Sequence, residues 1–183
     1  MPPFIKKYWT WIAAIVSGLL LALSYAPWEV GSLVWVWAWP LLGALWFGLP
    51  SGLTLKQTII RSFLIGYVAG FVFFAVNSHW MFHIWKVVEV QVAGIGAVLG
   101  MGLYLGIYVG LFSVFAATVG KLKLPPLGDK PVKKGIAGML DPSVAKDLFG
   151  QSVAVLKTAF LNGACWCGLE WLRGIAFTGF GWN

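Results

Sequence analysis

Two ionisable side chains inside an apolar run hold most of the chemistry this sequence offers: Glu170 and Arg173, in the stretch Glu170-Trp171-Leu172-Arg173-Gly174. A spacing of three residues sets a carboxylate and a guanidinium on one helix face, where each satisfies the other. Ionisable groups in hydrocarbon are costly, so such a pair marks a functional path or an internal staple. His79 and His83, at i and i+4, have the spacing of a metal pair, but no third ligand stands near them in sequence. Polar tips at a membrane interface are the better reading of those two rings. Cys165 and Cys167 sit two apart in an apolar run. On a helix that spacing turns them about 200° from each other, so they do not bridge. Gly102, Gly106 and Gly110 repeat every four residues with no Lys-Ser/Thr after them, which argues helix packing and not a phosphate loop. No catalytic residue, metal set or cofactor box is expected.

What must position the Glu170–Arg173 pair is a membrane bundle. The chain has 183 residues, 60% hydrophobic and 10% charged, with a mean hydropathy of +0.84. Soluble domains carry about 25% charged residues. A formal charge of +7 invites a nucleic-acid reading, but in so apolar a chain excess Lys and Arg serve to hold loops on the cytoplasmic side. Membrane lipids are the expected surroundings and nucleic acid is not a partner. Twelve tryptophans and 13 phenylalanines suit aromatic belts at the two interfaces.

Hydropathy predicts one all-α membrane domain over residues 1–183, a multi-pass bundle of about five transmembrane helices near 8–26, 33–49, 62–85, 92–119 and 158–177. Pro40 is expected to kink or reset the second helix. Gly66 and Gly70 form a small-xxx-small face on the third, inviting close approach of another helix. Residues 120–157 form a basic, proline-broken loop, with a short interfacial helix starting at Asp141-Pro142-Ser143 and running through Gly150. Placing the N-terminus inside and the C-terminus outside puts Lys6, Lys7, Lys56, Arg61 and seven loop lysines on the cytoplasmic side, eleven in all. Only Lys86 and Arg173 fall in or near the outer half, a strong positive-inside bias.

The segment Glu170-Trp171-Leu172-Arg173-Gly174, continued by Thr178-Gly179-Phe180 and Trp182, resembles the fifth transmembrane segment of apolipoprotein N-acyltransferases. Pro27, the run Trp37-Ala38-Trp39-Pro40-Leu41-Leu42 and the Asn77–Trp85 stretch resemble earlier parts of the same family in the same order. Gly181 stands where that family has proline, and the Lys121–Lys157 loop is longer and more basic than the family pattern. The resemblance implies a bacterial inner-membrane protein. It implies a phospholipid acyl donor and a diacylated lipoprotein whose N-terminal cysteine amine receives the chain. It also implies that Trp182 and Phe180 border the lipid cavity, while the spacing of Glu170 and Arg173 is that of a structural ion pair. The family's Glu-Lys-Cys triad resides in a nitrilase-like domain that has no counterpart in these residues. The expectation is therefore a truncated fragment, inactive alone. A competing expectation is a small membrane transporter, or a transporter's membrane subunit, with Glu170 and Arg173 in its path. A third is a bundle in which the pair is only a staple.

Overall fold

The computed structural model describes residues 3–84, 86, 89–125 and 142–176. These residues form five α-helices and no strand: α1 (Pro3–Leu23), α2 (Ala38–Phe47), α3 (Leu55–Asn77), α4 (Gln91–Ala117) and α5 (Pro142–Ile175). Two 3-10 segments, Gly31–Trp35 and His79–Ile84, precede α2 and α4. Three of the helices, over Leu55–Asn77, Val92–Ala117 and Val144–Ile175, are long and apolar enough to cross a membrane.

The second expected helix, 33–49, is shorter than hydropathy suggests. Its α-helical part has 10 residues, about 15 Å against about 30 Å of hydrocarbon. Pro40 is the cause. In a continuous helix its ring would meet the carbonyl of Val36. In the first turn of α2 the missing N–H is one of the orphans every helix start has. The chain therefore approaches through a 3-10 turn and starts afresh at Ala38.

The third helix begins earlier than expected, at Leu55, because Thr54 and Gln57 form a reciprocal capping box. Lys56 and Arg61, expected in a loop, thus lie in its first two turns. It also ends earlier, at Asn77, and His79–Ile84 continues as 3-10 helix. There His79 Nδ1 donates to the Val76 carbonyl at 2.9 Å and His83 Nδ1 to the Trp80 carbonyl at 3.3 Å. Bonds to carbonyls three residues back suit a 3-10 path.

The fifth helix is the largest departure. It runs unbroken for 34 residues from Pro142, so the second half of the expected loop is helical. Proline is at home at a helix start, and one mid-helix glycine, Gly150, costs only about 1 kcal/mol. The expected stop at Gly150 has no partner to enforce it, and the short interfacial helix merges with the span. At about 51 Å the helix exceeds the bilayer's apolar thickness. Residues 126–141 of the loop lie outside the described residues.

α3 and α4 form the centre of the bundle, with α1 packed on α3 and α2 on α1. The glycines make that centre possible. A Cβ on Gly66 would overlap the Ser113 side chain and come within 2.6 Å of the Val109 carbonyl oxygen. One on Gly70 would stand 2.9 Å from the Cα of Gly106. The two backbones therefore touch along this seam, as small residues permit in lipid. Gly96 and Gly100, also four apart but out of step with Gly102, Gly106 and Gly110, face open space.

Polar bonds cross between helices where apolar matching alone cannot fix register. Ser17 Oγ donates to the Trp37 carbonyl, Trp46 Nε1 to Ala116 at 3.0 Å, and Tyr67 Oη to Leu103 at 3.0 Å. α5 packs mainly on α4 and leaves Phe149, Leu156, Phe160 and Trp171 exposed along its length. Its anchors are Trp166, ringed by Trp37 at 4.9 Å and Phe112 at 5.2 Å, and Asn162. Buried Asn162 donates from Nδ2 to the Gly120 and Thr158 carbonyls, each at 2.8 Å. Asn162→Leu should lower stability by about 1–3 kcal/mol, since it strands a buried carbonyl at the end of α4. Thermal unfolding in detergent checks this; an unchanged midpoint would remove Asn162 as the tie between α4 and α5.

Candidate functional site

The end of the bundle opposite Lys7, Lys56 and Arg61 holds the Glu170–Arg173 pair. Four segments meet there: the turn after α1, the end of α3 with its 3-10 extension, the start of α4 and the end of α5. Arg173 is buried, at 6% exposure, and its Nη2 donates to Glu170 Oε2 across one turn of α5. Glu170 is less covered, with 30% of its side chain exposed. The guanidinium also lies over the Phe74 ring, 5.4 Å from its centroid. That cation–π contact replaces part of the hydration a buried cation loses. Phe74 is held in turn by Phe73, whose ring packs at 5.5 Å on Tyr25. Tyr25 sits in the turn beyond α1. Burial, and then the Glu170 carboxylate, push its phenol above the usual range while Arg173 pulls the other way.

Arg173 is only partly satisfied. Its Nε is buried with no acceptor among the described residues. A guanidinium offers five N–H donors, and a buried donor left unpaired costs free energy. Beside it lies a small cavity of about 30 Å³ lined by Phe74, Asn77, Ser78, Trp80, Met81, Met101, Leu105 and Arg173. That volume suits a water or one ligand oxygen, not a whole lipid. The same 3-10 helix and the first turns of α4 line a second, apolar groove of about 440 Å³, formed by His79, Phe82, His83, Ile95, Val98 and Leu99. Gly94 lets the 3-10 helix lie close: a Cβ there would stand 3.0 Å from the Phe82 carbonyl carbon. An oxygen-sized polar hollow beside a larger apolar groove can hold an acyl compound by its head and its tail.

Of the residues singled out in the sequence, the structure brings Glu170 and Arg173 into contact. Trp182 and Phe180 lie outside the described residues. His79 and His83 each engage a backbone carbonyl, and no group of three His, Cys, Asp or Glu that would hold a metal occurs among the described residues. Cys165 and Cys167 are free thiols on α5. Sequence reasoning missed Tyr25, Phe74, Asn77 and Ser78. Asn77 and Ser78 carried a signal, as a polar pair closing an apolar span. Tyr25 and Phe74 carried none, since only helix rotation and packing bring them to Arg173.

A family model, the apolipoprotein N-acyltransferase N-terminal domain, matches residues 17–183. A search of curated proteins and a search of solved structures each found no match.

Proposed function

The chain belongs to the apolipoprotein N-acyltransferase N-terminal domain family, and from that premise we propose that it cradles the substrates of an acyl transfer from phospholipid to the N-terminal cysteine amine of diacylated lipoproteins. The observation that carries this is the pairing of the Arg173 hollow with the apolar groove above α4. An ester or phosphate oxygen accepts from the guanidinium, with Asn77 and Ser78 close by, and the chain lies along Phe82, Ile95 and Leu99. Glu170 holds Arg173 aimed without filling the hollow. Trp182 and Phe180 border the lipid's entry in this scheme. The chain acts as a single multi-pass domain of a bacterial inner membrane. The lysine-rich end faces the cytoplasm and the Arg173 end the outer leaflet, which is the orientation that positive charge favours.

Two experiments bear on this. A diacylated lipopeptide with a photoreactive acyl chain should label peptides from His79–Ile84 and the first turns of α4, and unlabelled lipopeptide should compete. Labelling spread evenly over the lipid-facing side of α5 would contradict the cradle. By itself the chain should show no turnover. A nucleophile needs a base and a cation for the developing oxyanion. Cys165 and Cys167 lie on a membrane-crossing helix, one partly buried and one exposed. Purified chain with phospholipid and diacylated lipopeptide should yield no triacylated product. Turnover that Cys165→Ala or Cys167→Ala abolished would show that a thiol of α5 is the nucleophile.

A further inference from the structure

The basic end of the bundle contains a third concavity, remote from Arg173 and unused by the scheme above. It is a cleft of about 390 Å³ between the start of α1, the α2–α3 turn and the start of α3, lined by Thr10, Trp11, Gly48, Leu49, Pro50, Arg61, Leu64 and Ile65. Its shape is built, not incidental. Gly48 closes the floor so tightly that a Cβ there would stand 2.5 Å from the Trp9 ring and 2.6 Å from the Ala44 carbonyl. Pro50 and the capped start of α3 fix the turn beside it.

The charge in this cleft is unbalanced. Arg61 has no hydrogen-bond or ion-pair partner among the described residues, and neither have the Thr10 hydroxyl and the Trp11 indole N–H. Lys7, exposed one turn before Thr10 and Trp11 on α1, and Lys56, in the first turn of α3, add positive charge at the same end. No carboxylate occurs anywhere from the start of α1 to Ser24, nor from Ala38 to Asn77. The depth suits a phosphate. Arg61 stands about 9 Å along α3 from Leu55, and the remaining turns to Asn77 carry no charge. That places the guanidinium at the edge of the apolar layer, where headgroup phosphates lie. Further along the same helices Ile15 and Leu19 on α1, and Leu64 on α3, are exposed apolar side chains able to receive an acyl chain.

We propose that this cleft is a binding site for an anionic phospholipid, its phosphate held by Arg61 with Thr10 and Trp11 as further donors and its chain lying over Leu64. An arginine fork with two neutral donors recognises a phosphate by geometry as well as by charge. A basic pocket between membrane helices is a recurrent form for such sites. Its occupant ties α1 to α3 at the basic end and is distinct from any lipid consumed at the Arg173 end.

Native mass spectrometry of the purified 183-residue chain, titrated with dioleoylphosphatidylglycerol or dioleoylphosphatidylcholine, tests the site. The first bound phosphatidylglycerol should be favoured over phosphatidylcholine by about fivefold, the factor one basic side chain contributes beside an anionic headgroup. Arg61→Gln should erase the preference. Leu64→Trp should erase it too, by filling the cleft from an exposed position with the charge intact; if Arg61→Gln does not fold, this variant decides. Lys123→Gln, an exposed lysine outside the cleft, should leave the preference unchanged. Millimolar inorganic phosphate should not displace the lipid; displacement would make this a small-anion site and overturn the lipid assignment. Equal retention of the two lipids by the wild type, or an undiminished preference in both Arg61→Gln and Leu64→Trp, would overturn it as well.

Discussion

Glu170→Gln is expected to destabilise the bundle by about 3–5 kcal/mol, the usual cost of stranding one member of a buried ion pair. The two partners are not equivalent. Arg173 is almost wholly buried, whereas Glu170 is about a third exposed. Losing Glu170 leaves a guanidinium in low dielectric with only the Phe74 ring and a neutral amide to face. Losing Arg173 leaves a carboxylate that reaches water or headgroups. Arg173→Gln should therefore cost less, about 1–3 kcal/mol, mostly through lost packing and one hydrogen bond. Glu170→Gln combined with Arg173→Gln should recover much of the loss, because it leaves no uncompensated buried charge. Folded yield and thermal midpoint in detergent give the cycle. Additive losses would mean that the two side chains act through different partners. Two stable single variants would place the pair in water.

Gly66→Ala is expected to destabilise the bundle strongly. It drives a Cβ into Ser113 and the Val109 carbonyl, on a seam where two backbones touch. Overpacking of this kind costs about 1–3 kcal/mol, and more when backbone must move. Gly66→Leu should abolish folded material. Gly100→Ala supplies the contrast, since nothing lies within 4 Å of its Cβ. There alanine's better helix propensity should make the change neutral or stabilising, by up to about 1 kcal/mol. Thermal unfolding of the two alanine variants side by side checks both; equal midpoints would mean that the α3–α4 seam does not depend on Gly66.

The contrast between Gly66 and Gly100 also shows what a membrane sequence discloses. Its apolar runs disclosed α4 nearly end to end, because lipid demands about 20 apolar residues per crossing; they disclosed α3 as a span but set both of its ends too late in the chain. They did not disclose which glycine faces a neighbour. In water a helix advertises its buried face by polarity, but in lipid both faces are apolar and the period disappears. For the same reason Arg173 was legible as an intramembrane charge, while its seat on Phe74 beneath Asn77 and Ser78 was not. Helix ends went astray where local chemistry overrode hydropathy. Pro40 restarted α2, the Thr54–Gln57 box drew α3 back to Leu55, and α5 ran back to Pro142 because nothing between there and Thr158 forbids a helix.

Residues 17–183 match the family, and we propose that they serve an apolipoprotein N-acyltransferase as its membrane cradle, with Arg173 at the site. This is tested most directly by substituting them for the corresponding segment of a characterised enzyme of that family, in cells depleted of their own. Mass spectrometry of a lipoprotein's N-terminal peptide then reads the outcome. The account predicts triacylated peptide from the chimaera. It predicts a loss of at least about tenfold, roughly 1.4 kcal/mol of transition-state stabilisation, when Glu170→Gln and Arg173→Gln are combined to empty the site while sparing the fold. A chimaera that is folded and membrane-inserted yet leaves the lipoprotein diacylated would contradict the assignment. Full triacylation by the doubly substituted chimaera would reduce the pair to a staple.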